Sequence, residues 1–297
     1  MRHVPVLLHE AVEALNLRDG DIFLDGTLGG AGHSLLVAEK FGDDVEIIGL
    51  DRDIEALERS GERLRELTKS AYLKLESFRN LDTVLESLGI EKINAVLLDL
   101  GISSEQLEES GRGFSFQKDE PLEMTMEKDK KGVTAKEVLN HWDEDTLELV
   151  LRGFGEEKFS RRIAAEIVRR REEKPFETTG DLLEAVRLAT PASAKRHKIH
   201  PATRTFQAIR IAVNEELTAL EEGLKKAFEV LAPKGRLAVI SFHSLEDRIV
   251  KNFMRDLARE GRGKLITKKP ITPSEEEVKN NPRSRSAKLR ILEKNED

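Results

Sequence analysis

Cysteine is absent from this 297-residue chain. Without a thiol the chain can form no disulfide, no cysteine-ligated iron–sulfur cluster and no covalent intermediate on a cysteine nucleophile. Long apolar runs are also missing, since nowhere do about 18 apolar residues follow one another, and the first residues lack the charged-apolar-small pattern of a secretory signal. We therefore expect a cytoplasmic protein with no membrane partner.

Charge is unevenly distributed along the chain. The net charge is −7, but residues 150–210 carry 14 basic and 8 acidic side chains, so this window is +6 and the remainder is −13. A second basic run occupies residues 279–290. The negative total argues against a protein coated in nucleic acid, but a total hides local positive fields that attract phosphates.

Short apolar runs alternate with amphipathic helical stretches in the first third of the chain, as in βαβ units of a parallel sheet. The predicted strands are 21–25, 45–51, 71–77, 95–101, 235–243, 264–269 and 286–293. The predicted helices are 54–67, 81–88, one that opens on a Thr134/Glu137 capping box, 144–153, 159–173, 179–189 and 203–231. The polar segment 273–281 is interpreted as a solvated loop.

These patterns predict an α/β fold with a doubly wound, mostly parallel seven-stranded sheet and an inserted all-helical domain. The core is expected at 1–112 and 213–297. The insert, 113–212, carries a candidate RNA-binding surface.

The segment DGTLGGAGH, residues 25–33, follows the first predicted strand and precedes an apolar helical run. Doubly wound folds bind nucleotides at this position, because glycines let the backbone approach a ligand and the helix N-terminus offers free N–H groups. The alternative is a tight strand-to-helix turn that binds nothing.

Asp51 ends the second predicted strand, where an acidic residue commonly accepts hydrogen bonds from both ribose hydroxyls of an adenosine cofactor. The dinucleotide pattern G-x-G-x-x-G is missing, since Leu35 stands where its third glycine would be, and the P-loop pattern is absent. An adenosine cofactor without a pyrophosphate fits better, and Asp25 could face its methionine amino group.

Two further candidates follow the third and fourth predicted strands. Asp99 falls at the crevice where open α/β sheets bind ligands, with helix capping as its alternative role. Phe78 could stack on adenine or could belong to the core.

Candidate RNA contacts occur in two segments. In SFHSLEDRIVK, His243 could contact the base or a phosphate and Arg248 a phosphate, whereas capping or an internal ion pair is the alternative for each. A basic stretch in the insert suggests a phosphate-tracking surface, and a merely solvated face is its alternative. Its candidate residues are Lys195, Arg196, Lys198, Arg204 and Arg210.

Several longer segments add up to a specific pattern: DGTLGGAGH, LLDLGISSEQLEESGRGFSF, GEEKFSRRIA, HPATRTFQAIRIAVNEEL and GRLAVISFHSLEDRIVK. With them the chain resembles, over almost its whole length, the bacterial methyltransferase family that modifies N4 of a cytosine in small-subunit ribosomal RNA. The resemblance implies S-adenosylmethionine as cofactor and ribosomal RNA, naked or in a particle, as partner. It implies a cofactor site at Gly30, Ala31, Gly32, His33, Asp51, Phe78, Asp99 and Gln106.

Methyl transfer from a sulfonium is an in-line displacement that needs alignment and exclusion of water, and no metal. Asp99 is the leading candidate for accepting a hydrogen bond from the cytosine amine, with a backbone carbonyl as its alternative and His243 as a second candidate catalytic group. Exocyclic-amine methylases of DNA usually carry [DNS]-P-P-[YF] here, but this chain has Asp99-Leu100-Gly101-Ile102. Methylation at cytosine C5 normally uses a cysteine adduct and is therefore excluded.

Two other functions stay open on the sequence. One is a non-catalytic RNA-binding or ribosome assembly factor with a methyltransferase fold, and the other is a nicotinamide-dependent oxidoreductase. The sequence also leaves a homodimer open.

Overall fold

The computed structural model of the protein describes residues 5–102, 107, 110–127, 133–191 and 200–296. The chain divides into two compact units. The first, the core unit, comprises Met1–Gly101 and Leu217–Asp297, and the second, the insert unit, comprises Ile102–Glu216. The boundaries expected for the insert, 113 and 212, both lie inside this second unit.

Seven strands of the described chain form one sheet in the order β3-β2-β1-β4-β5-β7-β6. The strands are β1 (Ile22–Asp25), β2 (Glu46–Asp51), β3 (Ala71–Leu75), β4 (Ile93–Asp99), β5 (Leu231–Ser241), β6 (Gly263–Leu265) and β7 (Lys288–Lys294). Strands β1 to β5 pair in parallel, whereas β7 is antiparallel to both β5 and β6. The predicted mostly parallel seven-stranded sheet is confirmed.

The described helices lie before the first strand, between later strands and in the insert unit. They are α1 (Leu8–Leu15), α2 (Gly32–Phe41), α3 (Ile54–Arg65), α4 (Leu81–Ser87), α5 (Ala135–His141), α6 (Glu144–Gly155), α7 (Ser160–Glu173), α8 (Thr179–Ala189), α9 (Ala202–Asn214), α10 (Glu216–Val230), α11 (Ser244–Arg259) and α12 (Glu275–Asn280). None of them is long and apolar enough to cross a lipid bilayer.

Helices cover both faces of the sheet, and successive strand residues point to opposite faces. Phe23 and Leu97 pack with α1, α2 and α3 on one face. Their chain neighbours Leu24 and Val96 pack with α4, α10 and α11 on the other. Such two-sided burial explains the continuous apolar runs in the sequence and makes the fold doubly wound.

The insert unit has an apolar core of its own, contributed by α5 to α9 and the segment before them. The capping box predicted at the start of α5 is confirmed, since Thr134 accepts a hydrogen bond from the backbone N–H of Glu137 and the Glu137 carboxylate accepts one from the N–H of Thr134. The insert is helical throughout its described regular elements, as its sequence period predicts.

Two local predictions were wrong. The single helix expected at 203–231 is two helices, because Glu215 adopts a left-handed conformation with φ of 51° and ends α9, and Leu231 already belongs to β5. The polar segment 273–281, interpreted as a loop, contains α12, because Ser274 caps its N-terminus and three glutamates occupy its first turn.

Candidate active site

The carboxyl ends of β1, β2 and β4 bring three aspartates to one edge of the sheet. Asp25 ends β1 and is in register with Gly49 of β2 and Leu97 of β4. Asp51 and Asp99 therefore each extend two residues beyond the level of Asp25, one on either side of it. The loop that follows β1 emerges between them, as expected for a ligand crevice in an open α/β sheet.

Asp51 is held by backbone donors on both of its carboxylate oxygens. Gly29 N–H donates to Oδ2 over 2.7 Å, and Asp53 N–H donates to Oδ1 over 2.8 Å. Burial raises the pKa of Asp51, an effect that these two hydrogen bonds partly offset. The backbone N–H of Arg52 also donates to this carboxylate, so its orientation is fixed by the chain around it.

Thr27 connects the loop to the end of β4. Its Oγ1 accepts a hydrogen bond of 2.6 Å from the backbone N–H of Asp99, while Gly101 N–H donates to Asp99 Oδ1 over 3.3 Å. Phe78 follows β3 and lies at the same place, since a Cβ on Gly26 would be 3.0 Å from Cβ of Phe78. The loop, Asp99 and Phe78 are thus neighbours within the core unit.

Asp25 is almost completely buried, with 2% of its surface exposed. Ser34 Oγ donates to its Oδ2 over 2.6 Å, and Thr27 N–H donates to Oδ1 over 3.2 Å. Burial raises the pKa of Asp25, the Ser34 hydrogen bond and nearby His33 lower it, and the negative charge of Asp99 raises it further. The two carboxylates are therefore close enough to influence each other electrostatically.

The glycine loop is anchored from several sides. Ala31 adopts a left-handed conformation with φ of 57° immediately before α2, at a cost of about 1 kcal/mol for a non-glycine residue. A side chain on Gly32 would overlap Pro5, and Arg63 on α3 donates to the carbonyl of Gly30 over 2.7 Å. These contacts fix the path of the loop around the crevice.

The side chain of His33 points into the protein. It is 5% exposed, and its Nε2 lies 3.2 Å from the carbonyl oxygen of Val6. Burial lowers the pKa of His33, which keeps the imidazole neutral at pH 7. In this structure His33 is positioned to offer a ligand its backbone at the start of α2 rather than its ring.

His243 caps the N-terminus of α11. Its Nδ1 accepts a long hydrogen bond of 3.4 Å from the backbone N–H of Glu246, and its Nε2 lies 3.1 Å from Glu246 Oε1. The Glu246 carboxylate accepts hydrogen bonds from the backbone N–H groups of Phe242 and His243. His243 therefore has the helix-capping role that was its alternative. Arg248 also interacts with other groups of the protein.

The two candidate RNA contacts of the insert that the structure describes, Arg204 and Arg210, are bonded to neighbouring groups. Arg204 donates to the carbonyl of Glu156 over 3.2 Å, and Arg210 forms a two-pronged ion pair with Glu216, with both distances 2.8 Å. Lys195, Arg196 and Lys198, as well as Gln106, lie outside the described residues.

The aromatic side chains of the insert near these cations pack within its own unit. Phe114 belongs to the insert core, and Phe116 stacks on His200 at a centroid distance of 4.8 Å. Neither ring is therefore freely presented to an unpaired base in this structure.

Sequence reasoning missed three residues that shape the crevice: Thr27, Ser34 and Arg63. Thr27 and Ser34 lie in or next to the glycine loop, so short polar side chains there were a usable signal. Arg63 lies 33 positions from its partner Gly30, and no local pattern reveals that contact. The assembled group offers carboxylate acceptors, helix N–H donors and an aromatic ring, which suit an adenosine with a cationic amino acid portion.

Comparisons with known proteins agree with this chemistry. Residues 1–295 match the model of a family described as the MraW methylase family. A protein from Heliobacterium mobile named "Ribosomal RNA small subunit methyltransferase H" is 49% identical, with 98% of each chain covered. A protein of the same name from Brevibacillus brevis is 46% identical, also with 98% of each chain covered.

The fold itself also has a solved counterpart. A solved structure from Clostridium thermocellum aligns with 99% of this chain and 98% of its own, at a TM-score of 0.50 and 12% identity. A similarity at this identity concerns the fold alone.

Proposed function

The chain belongs to the MraW methylase family, and we propose that it transfers a methyl group from S-adenosylmethionine to the N4 amine of a cytosine in small-subunit ribosomal RNA. It is an S-adenosylmethionine-dependent methyltransferase with ribosomal RNA as its partner. The convergence of Asp25, Asp51 and Asp99 around one glycine loop is the observation that carries the proposal. The relatives named for small-subunit ribosomal RNA methylation match this chain over nearly its whole length. They favour this function over that of a nicotinamide oxidoreductase.

The residues present fit an adenosine cofactor. Asp51 is oriented by backbone N–H groups, and we assign to its carboxylate the hydrogen bonds from the ribose hydroxyls. Asp25 supplies negative charge for an ammonium group. Phe78 has its Cβ beside Gly26 and its ring against Gly223 in the core, and we assign the base to the side of Phe78 that faces the glycine loop. Gly30, Ala31, Gly32 and His33 complete the proposed site with backbone groups at the N-terminus of α2.

The bound cofactor supplies an activated methyl group on a sulfonium, so the protein must align the acceptor and exclude water. We assign to Asp99 the acceptance of a hydrogen bond from the cytosine amine, whose lone pair is otherwise delocalised into the ring. This hydrogen bond helps to localise the lone pair on N4, and the Asp99 carboxylate receives the proton as the new N–C bond forms. Thr27 and Gly101 position Asp99 for this task through its backbone and side chain.

Nucleoside analysis tests the proposal directly. The purified protein is incubated with isotopically labelled S-adenosylmethionine and either naked small-subunit RNA or assembled particles, and the RNA is then digested for mass spectrometry. The expected product is N4-methylcytidine carrying the label. Label in 5-methylcytidine, in another base or in no nucleoside would overturn the assignment, and the last result would favour a non-catalytic assembly factor.

The RNA surface and cellular location are further parts of the proposal. We assign phosphate contacts to Lys195, Arg196 and Lys198, in a protein that acts in the cytoplasm. We also assign them to Arg204, Arg210 and Arg248, where an RNA phosphate would replace the partners that these arginines hold in the structure. We also propose that the reaction needs no metal, because displacement at a sulfonium methyl has no step that calls for a Lewis acid. Undiminished activity in excess EDTA, at a fixed monovalent salt concentration, is the expected result.

A homodimer is proposed through the free edge of the sheet. β3 is an edge strand, and its Tyr72 and Leu75 side chains are 45% and 55% exposed. Antiparallel pairing of two copies about Leu75 would place Lys74 of one copy opposite Glu76 of the other, a favourable cross-strand pair. Light scattering should give about twice the chain mass of 33.5 kDa, and Leu75→Lys should return it to that of one chain.

A further inference from the structure

A groove of about 270 Å³ on the core unit has basic side chains at half of its lining residues. It lies among α11, β7 and the segment after β6, and we call it the α11–β7 groove. Its charged lining residues are Lys251, Arg255, Lys268, Lys269 and Arg290. Each of them is basic, in a chain whose net charge is −7.

Most of this positive charge is not neutralised. Arg290 and Lys288 share Asp247, at 2.7 and 2.8 Å. Burial alone would raise the pKa of Asp247, but hydrogen bonds from Arg290 and Lys288 lower it, so that carboxylate is ionised and already occupied.

Of the other four lining cations, one is paired and three are not. Arg255 pairs with Asp256 over 2.9 Å. Lys251, Lys268 and Lys269 are exposed and make no ion pair with any described residue. The groove therefore keeps an excess of positive charge at rest, and an anion is the complement it lacks.

A hydroxyl group in the groove also lacks a partner. Thr267 lines the groove, and its Oγ1 is buried without a hydrogen-bond partner among the described residues. A buried polar atom left unpaired costs about 1–3 kcal/mol. Its Oγ1 has almost no exposed surface, so the Thr267 side chain must rotate towards the groove before an oxyanion there can accept its hydrogen bond.

The groove lies beside the edge of the sheet that carries the candidate active site. Leu98 of β4 is in register with Val239 of β5, which is in register with Arg290 of β7. Since neighbouring strands are about 4.8 Å apart, the Cα atoms of Leu98 and Arg290 are separated by about 10 Å. An extended polyanion whose base is held near Asp99 can thus reach the groove with its adjacent backbone.

We propose that the α11–β7 groove binds backbone phosphates of the substrate RNA next to the methylated cytosine. Lys251, Lys268 and Lys269 are the phosphate contacts, and Thr267 adds a hydroxyl donor. The proposal rests on the function proposed above and adds an RNA contact on the core unit, separate from the cations of the insert. Lysine at these places tracks phosphate charge without reading sequence.

Salt-dependent RNA binding tests the groove. Lys251, Lys268 and Lys269 are replaced together by alanine, and in a second variant together by arginine. A matched control replaces by alanine three exposed lysines on the side of the sheet where the strands begin, namely Lys40, Lys69 and Lys92. Affinity for a small-subunit RNA fragment is measured at several salt concentrations, with KM, kcat and the cofactor Kd alongside.

The alanine variant should reduce the slope of log K against log salt by about 2, because each single-strand phosphate contact contributes about 0.7. Its KM for RNA should rise about tenfold at fixed salt, while kcat and the cofactor Kd stay within about twofold of wild type. The arginine variant should bind like wild type. A slope equal to that of the control variant, or a wild-type protein that binds no RNA, overturns the proposal. Methyl transfer is scored separately, so an inactive wild type that still shows the slope change refutes only the proposed function.

Discussion

The backbone N–H of Gly29 donates a hydrogen bond of 2.7 Å to Oδ2 of Asp51, and so ties the loop after β1 to the end of β2. Gly29 has a positive φ of 48°, a conformation that glycine adopts without steric cost. The carboxylate is thereby oriented before any ligand arrives. Such preorganisation lowers the entropy cost of binding.

Asp51→Ala should weaken S-adenosylmethionine binding at least about a hundredfold, because the hydrogen bonds from the two ribose hydroxyls to this charged group contribute about 1.5–3 kcal/mol each. Isothermal titration of wild type and variant gives the two dissociation constants. The exposed Asp43, which lies before β2, supplies the matched control Asp43→Ala, with affinity unchanged.

Removing a ribose hydroxyl from the ligand separates a direct contact from a loosened loop. S-adenosylhomocysteine lacking the 2′-hydroxyl should bind wild type about tenfold more weakly, but should bind Asp51→Ala as well as the parent ligand does. Equal penalties in both proteins would show that Asp51 acts only through Gly29.

Asp99→Asn should lower the single-turnover rate of methyl transfer at least about a hundredfold, since positioned proton acceptors contribute about 10²–10⁴. The substitution preserves shape and removes the charge. Affinity for S-adenosylhomocysteine should fall by less than about tenfold. A loss of rate no larger than the loss of affinity would make Asp99 a cofactor ligand alone.

Thr27→Val should reproduce part of the loss of rate that is expected for Asp99→Asn, although it leaves the Asp99 carboxylate in place. The change removes the acceptor of the Asp99 N–H and leaves that donor unpaired, at a cost of about 1–3 kcal/mol in the free energy of unfolding. Urea titration measures this cost. Thr27→Ser keeps the acceptor and should retain both stability and rate; a stable, fully active Thr27→Val would contradict the positioning role.

The buried Asp25 should make stability fall as pH rises. Its folded pKa is raised above the unfolded value, so the native state binds more protons between the two pKa values. The free energy of unfolding should therefore decrease from about pH 4 upward and level off above the folded pKa, since the unfolded pKa of an aspartate is about 3.9.

Asp25→Asn cannot ionise and should lack this decrease. Urea unfolding of wild type and variant between pH 4 and 8 gives the free energy of unfolding at each pH, and the slopes of the two curves are compared. His33 is present in both proteins. The variant should also bind S-adenosylmethionine more weakly at pH 7. Parallel stability curves would show that Asp25 does not carry the pH dependence.

The Arg210–Glu216 pair should behave as a half-buried ion pair, since the two side chains are 17% and 10% exposed. Arg210→Ala should cost about 3 kcal/mol in the free energy of unfolding, because Glu216 is left uncompensated. Adding Glu216→Gln should recover part of that loss. If the double variant were instead destabilised by the full sum of the single changes, the pair would have no coupling.

The sheet was predictable because its strands are buried on both faces and read as apolar runs, as in residues 93–99. The aspartates at the strand ends were predictable for a related reason, since parallel strands deliver their carboxyl ends to one edge. The break at Glu215 was not, because a left-handed glutamate carries none of the glycine signal that usually marks a helix end.

The partners of long side chains also could not be predicted from the sequence. The pairing of Arg210 with Glu216 and the hydrogen bond from Arg63 to Gly30 both place arginines on neighbouring acceptors, whereas the sequence shows only their positive charge. The spacing of apolar residues along the sequence reveals helices, strands and their buried faces. It does not reveal which partner a long side chain reaches.

A crystal structure with S-adenosylhomocysteine bound tests the central claim most directly. The account predicts both ribose hydroxyls within hydrogen-bonding distance of the Asp51 carboxylate, the adenine beside Phe78 and the amino group facing Asp25. A ligand bound elsewhere, or one in this crevice whose ribose does not contact Asp51, would contradict it.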